Sequence, residues 1–195
     1  MKTFKDGGHR LFQDDPETAA AVTGILRDLE ENGMDAVRRY SRKFDNWDPP
    51  AFELSPAQIQ EAIGRCSDEL IEDTAYSQGN VRAFAEFQRA MFQDGETEIR
   101  SGVALGHKHI PVHSVGAYIP GGRYPMFGSA QMSIIPARVA GVEEVVACTP
   151  PTREGDIFPA TINAVHKAGA DRIFVLGGVQ AFGLMAFGMG EVTPV

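Results

Sequence analysis

Ser114-Val115-Gly116-Ala117-Tyr118-Ile119-Pro120-Gly121-Gly122 decides how this chain is read: a short apolar run suited to a β-strand breaks into a Pro-Gly-Gly turn and passes into a helix-like segment. The plan recurs twice downstream. Glu144 to Thr149 and Arg172 to Leu176 are apolar runs that end in turn residues, Pro150-Pro151 and Gly177-Gly178, and each leads into an apolar helix-like segment. A strand buried on both faces reads as a continuous apolar run, and strands alternating with helices form parallel βαβ units. The expected order is strand 114–119, helix 126–140, strand 143–148, helix 157–168, strand 171–176 and helix 178–188. Gly141 and Gly169 fall where helix C-caps belong, and Asp156 is placed to cap the second helix. Pro136 conflicts with the first helix and predicts a kink or a shifted end. In such sheets ligands bind beyond the carboxyl ends of the strands, so the glycines after the first and third strands are the first place to look.

Upstream the pattern is helical. Asp15-Pro16 reads as an N-cap with proline in the first turn, and Val22, Ile25, Leu26 and Leu29 recur at helical spacing until Asn32-Gly33. A second helix is expected from Asp35 to Lys43, then a loop over Asp45-Asn46-Trp47-Asp48-Pro49-Pro50. Ser55-Pro56-Ala57-Gln58 is a capping box that opens a third. Ser67 to Gln93 reads as a long helix bent at Gly79, whose Phe84, Phe87, Met91 and Phe92 suit a core or a subunit interface. Glu98 to Gly106 and His107 to Val112 read as extended segments leading into the first parallel strand. The chain therefore divides near residue 105, into a mainly helical region, 1–105, and an α/β region, 106–195. His107, His109 and His113 would share one face of a regular strand, but the interrupting prolines and the lack of a carboxylate in step favour ordinary hydrogen bonds over a metal site.

Composition limits the function. The chain has 195 residues, 43% hydrophobic and 23% charged, with a formal net charge of −8. The basic residues are scattered, which argues against a nucleic-acid surface and for small-molecule chemistry. Cys66 and Cys148 stand alone and offer neither a disulfide framework nor a thiolate zinc site. The first eight residues lack the apolar core of a signal peptide, and no run approaches the roughly 18 apolar residues of a membrane span, so a cytoplasmic protein with no membrane partner is expected.

The chemistry of the joints is less plain. A dinucleotide fold usually carries G-x-G-x-x-G after its first strand and an acidic residue ending its second; Pro120-Gly121-Gly122-Arg123-Tyr124-Pro125 and Cys148-Thr149-Pro150-Pro151 supply neither. Gly121, Gly122, Gly177 and Gly178 read equally as a ligand cradle or as plain turn glycines. Tyr118 and Gln180 put polar groups at the carboxyl ends of apolar strands, where they meet a ligand or serve as a satisfied core tyrosine and a capping glutamine. Ser129 has no identifiable histidine and aspartate partner, and neither a G-x-S-x-G elbow nor H-E-x-x-H occurs.

Four segments carry a resemblance: Gly102-Val103-Ala104-Leu105-Gly106, Val115 to Gly122, Ile135 to Pro151, and Gly177-Gly178-Val179-Gln180-Ala181. In order and spacing they resemble the N-terminal half of histidinol dehydrogenase. The resemblance covers essentially the whole chain and is most specific from about residue 100 onward. It implies a Rossmann-like parallel βαβαβα half-sheet without the glycine fingerprint, after an N-terminal helical region. It also implies an NAD-dependent, zinc-containing homodimer that oxidises a primary alcohol through an aldehyde to a carboxylate. By matched motif, Tyr118 and Gln180 would contact NAD, with Gly121 and Gly122 in the same turn. The family's zinc ligands and acid/base pair lie beyond Val195, so the expectation is a truncated chain with no catalytic or metal-binding residues of its own, inactive alone. Arg123-Tyr124-Pro125, where histidine-biosynthetic members carry a small pair, and Gly-Val-Gln in place of Gly-Ala-Gln look more like the paralogous branch that oxidises sulfopropanediol. Arg123 is then a candidate for an anionic group of the substrate, for a phosphate of NAD or for a surface pair. The rival reading is a non-catalytic nucleotide-binding or dimerisation module.

Overall fold

The computed structural model describes residues 15–121, 124–190, 192, 194 and 195. Asp15 caps helix α1 (Pro16–Asp45), its carboxylate accepting from the Thr18 backbone N–H at 3.1 Å. The break expected at Asn32-Gly33 lies inside α1, where Gly33 adopts φ 52° and ψ −133°, so two helical segments meet at a kink. The capping box forms in full and opens α2 (Pro56–Gly64). Helix α3 (Asp68–Ala90) starts from the Ser67 cap and runs through Gly79 without the expected bend.

The extended stretch after α3 folds back on itself. β1 (Gly95–Arg100) and β2 (Val103–His107) form an antiparallel hairpin, turning through Gly102 at φ 79°. The histidines do not share a strand face. His107 Nε2 lies 2.9 Å from the Gln93 carbonyl, His109 Nδ1 3.1 Å from Asp94, and His113 Nδ1 3.1 Å from Glu143.

The α/β region follows the expected order: β3 (Ser114–Tyr118), α4 (Phe127–Ala140), β4 (Glu144–Thr149), α5 (Pro159–Ala168), β5 (Arg172–Val175) and α6 (Gly178–Phe187). The strands form a parallel sheet in the order β3-β4-β5, with Val115 opposite Val145 and Ala147 opposite Ile173. Gly141 and Gly169 end α4 and α5 in the left-handed conformation, φ 95° and 106°. Two local expectations fail. Asp156 does not cap α5, which begins from Phe158; its carboxylate lies 2.6 Å from Arg65 instead, two residues too far upstream for the cap. Pro136 sits inside α4 without ending it; the carbonyl it deprives of a donor belongs to Met132, an exposed residue that water can reach.

Alternation along the strands gives the sheet two apolar faces. Val145, Ala147, Ile173 and Val175 face Ile134 and Ile135 of α4 and Ile162 and Val165 of α5, with α2 closing that layer. Val146, Cys148, Phe174 and Leu176 face Leu29 and Val37 of α1 and Ala181, Leu184 and Met185 of α6. The edge of β5 is covered rather than open, because Val175 N–H donates to the Phe52 carbonyl and Leu54 N–H to the Ile173 carbonyl, both at 2.8 Å. The apolar stripe at the end of α3 and just beyond it is not core in this chain: Phe84, Phe87, Met91 and Phe92 are each more than half exposed, while Thr74, Gln78 and Ala85 are buried.

Packing of α1 on α6 has no slack. A methyl at Gly183 would stand 2.5 Å from Leu29 Cδ1, and Leu29 is fully buried. Urea unfolding is expected to show Gly183→Ala destabilised by about 1–3 kcal/mol through overpacking. Leu29→Ala should lose about 2–5 kcal/mol through the cavity it leaves.

Candidate functional site

The parallel register brings Tyr118, Thr149 and Val175 to one end of the sheet, at the carboxyl ends of β3, β4 and β5. The segments that follow pack closely on the Pro150 ring. A Cβ at Gly121 would lie 3.2 Å from Pro150 Cγ, and one at Gly177 would lie 2.8 Å from Pro150 Cβ and 3.1 Å from Asp45 Oδ2. Both glycines therefore serve the close approach of their segments to Pro150. Gly122 and Arg123 lie outside the described residues.

Tyr118 and Gln180 meet at the start of α6. The Tyr118 hydroxyl accepts from the Gly178 N–H at 3.2 Å, and its ring packs on Phe182 with centroids 4.8 Å apart. The first intrahelical bond joins Ala181 N–H to the Gly177 carbonyl, so the Val179 and Gln180 N–H groups precede it. They leave partial positive charge at the helix end. Gln180 is fully buried beneath Gly178, whose φ of 62° favours glycine. Its Nε2 donates to Asp45 Oδ2 at 3.3 Å, whereas its Oε1 has no protein partner. Thr149 Oγ1, also buried, has none either. Such orphaned acceptors are costly unless a ligand or water completes them.

Asp45 arrives from the far end of the chain. The Trp47 indole N–H donates to the Val175 carbonyl at 2.9 Å, and Ser41 Oγ donates to the Trp47 carbonyl at 2.7 Å, which ties the end of α1 over the end of β5. Burial pushes the Asp45 carboxyl above the usual carboxylate range, and its position at the negative end of α1 acts the same way. The long bond from Gln180 is too weak to reverse that. Burial likewise raises the Tyr118 phenol, opposed by the Gly178 N–H. Cys148 is pushed up to about 12 by burial and is no nucleophile. Beside the cluster a cleft of about 380 Å³ is lined by Lys43, Phe44, Asp45, Pro151, Thr152 and Arg153.

The arrangement suits a ligand that brings hydrogen-bond donors to Gln180 Oε1 and Thr149 Oγ1 and an anionic part to the α6 N-terminus, Lys43 or Arg153. Among the described residues it sets no general acid beside a general base. Among the described residues no three His, Cys, Asp or Glu side chains gather where they would hold a metal ion. Nor is any helix among them long and apolar enough to cross a membrane. The sequence singles out Tyr118 and Gln180 as candidates but not Asp45 or Thr149: Asp45 is 135 residues from Gln180, and no local pattern links them.

A three-stranded parallel sheet with helices on both faces, preceded by a helical region, defines a mixed α/β fold. Residues 9–195 match the histidinol dehydrogenase family, and the chain belongs to it. It is 51% identical over 174 residues to a histidinol dehydrogenase homolog of Shouchella clausii, which covers 89% of this chain and 41% of that protein. It is 42% identical to the histidinol dehydrogenase of Methanosarcina barkeri, over 92% of this chain and 41% of that one. It is also 40% identical to the sulfopropanediol 3-dehydrogenase of Ruegeria pomeroyi, over 90% and 40%. The crystal structure of histidinol dehydrogenase from Elizabethkingia anophelis superposes with a TM-score of 0.87 at 31% identity, covering 95% of this chain and 42% of that one. The chain thus spans about two fifths of the length of the curated relatives it matches.

Because the folded state holds the Asp45 proton more tightly than the unfolded chain, the stability Asp45 contributes is present at low pH and lost as pH rises through its folded pKa. Asp45→Asn should therefore unfold at a higher temperature than the wild type at pH 7. The difference should shrink as the pH approaches the ordinary aspartate value of about 4.

Proposed function

We propose that the cleft at the carboxyl ends of β3, β4 and β5 is the NAD site of an alcohol dehydrogenase, and that this chain is the N-terminal, cofactor-binding part of that enzyme. The observation that carries the reading is Gln180: a fully buried amide with an unsatisfied oxygen, next to the Tyr118 hydroxyl and the α6 N-terminus. Dinucleotides bring both ribose hydroxyl donors and phosphates, the two kinds of group this set can hold. Gln180 Oε1 and Thr149 Oγ1 would accept from the ligand. The Tyr118 and Phe182 rings would exclude water from one wall. NAD, when bound, supplies the two-electron acceptor for alcohol oxidation.

The proposed reaction is the oxidation of a primary alcohol through an aldehyde to a carboxylate, either L-histidinol to L-histidine or sulfopropanediol to sulfolactate. The relatives bear both kinds of name. Arg123, outside the described residues, is the candidate partner for an anionic substrate. The family's zinc does not fit the described residues, which lack a convergent ligand set. The chain alone is proposed to be inactive, working in the cytoplasm only as part of a longer enzyme. The division at about residue 105, between the helical region 1–105 and the cofactor-binding region 106–195, belongs to the same proposal.

Calorimetry with NAD tests the site. Saturable binding is expected, with Tyr118→Ala and Gln180→Ala each weakening it by about tenfold, the scale of one buried hydrogen bond to a ligand. A folded chain that takes up no NAD, or variants that bind as the wild type does, would remove the reading.

A second reading, a module that pairs with another subunit, is favoured by the exposed Phe84 and Phe87 of α3 and the exposed Met91 and Phe92 that follow it. If α3 is a homodimer surface, light scattering should show concentration-dependent dimers that Phe87→Glu shifts toward monomer. A wild type that stays monomeric at high concentration would reject it.

A further inference from the structure

Asp45 is the residue of the site that the cofactor reading leaves unused. It comes from the helical region, is held in place through Trp47 and Ser41, and touches the one amide on which the reading depends. A side-chain amide presents an oxygen and an NH2 of nearly the same size, so its orientation is decided by its partners rather than by its shape. An ionised carboxylate can only accept, and Gln180 Nε2 therefore faces Asp45 Oδ2, which leaves Oε1 as the group offered to a ligand. Gly178 roofs the amide closely: a Cβ there would lie 2.9 Å from Oε1 and 3.2 Å from Nε2. Its absence leaves room for the amide to turn over.

We infer that Asp45 is a positioning residue that sets which face of the Gln180 amide the site presents. Ionised, it holds Nε2 and exposes an acceptor; protonated, it donates to the amide oxygen and exposes a donor. The inference rests on the dinucleotide reading only for its consequence, that a ligand bringing hydroxyl donors is held when Asp45 is ionised and released when it is protonated. The titratable and charged groups around Asp45 are few. Lys43 on α1 and Arg153 after β4 line the same cleft and favour the ionised form. The Tyr118 phenol and the Cys148 thiol are both kept neutral by burial. Burial of Asp45 itself places the change above the ordinary aspartate range, nearer neutrality.

The switch can be observed without any ligand. In the chain as it stands, the Gln180 side-chain NH2 resonances are followed by NMR from about pH 7 to about pH 4, the range that brackets a raised carboxyl, for the wild type, Asp45→Asn and Asp45→Ala. NAD affinity is measured by calorimetry over the same range. The expected result is that the Gln180 signals of the wild type move with a single midpoint and those of both variants stay flat. Wild-type NAD affinity should fall by about tenfold through the same midpoint, the scale of one hydrogen bond exchanged for a clash of donors, and Asp45→Asn should lose that pH dependence. Gln180 signals that ignore pH in the wild type, or that titrate equally in Asp45→Asn, would overturn the inference. So would NAD binding that depends on Gln180 but is indifferent to Asp45→Ala, and that outcome keeps the dinucleotide reading. Gln180 signals that titrate with Asp45 in a folded chain that binds no NAD would establish the positioning role and discard the dinucleotide reading instead.

Discussion

Burial of β4 on both faces is the constraint on which the other elements depend. Its residues from Val145 to Thr149 are nearly inaccessible, alternating between two apolar layers, and its backbone is bonded to β3 on one side and β5 on the other. A strand in that position needs a helical layer above and below. The α/β region supplies only one of them fully, through α4 and α5. The opposite face needs α1 beside α6, which draws the first thirty residues of the described chain into the same core. Leu29 against Gly183 is the tightest point of that layer, where the absence of one methyl lets two helices meet.

The site is a by-product of the same arrangement. Parallel strands in register must end together, and the turns that follow must turn away over the same rim. Pro150 fills the middle of that rim, and glycines on either side allow their backbones to close on it. Once α1 is committed to the sheet, its end has to pass the rim as well, and Trp47 fastens it there by its bond to the Val175 carbonyl. A carboxylate from the helical region and an amide from α6 thereby come within hydrogen-bond distance, although neither element carries any sign of the other.

Much of this was legible in the sequence because it is local. Proline at the starts of α1 and α2, the Ser55–Gln58 box, and glycine after α4 and α5 each answer a backbone requirement within a few residues, and each is found where expected. Local reading failed where an alternative partner lay far away. Asp156 was placed to cap a helix, but α5 begins two residues later, from Phe158, and Arg65 stands opposite the carboxylate. Gly102 turned an extended stretch into a hairpin because strand pairing between residues 95 and 107 outweighs a straight run. The α3 aromatics have the period of a core helix yet stand exposed, since periodicity reports that a face is apolar and not what covers it.

The sequence by itself determined the alternation of strands and helices, the parallel sheet, the helix ends and the positions of Tyr118 and Gln180, because hydrophobic period, capping and turn chemistry act within one element or between neighbours. Only the tertiary structure decided that Phe52 to Leu54 would close the β5 edge, that Gly121 and Gly177 would pack on Pro150, and that Asp45 would meet Gln180. Those contacts join residues far apart in the chain. Their existence depends on the relative placement of whole layers, a property of the packed core that no local pattern encodes.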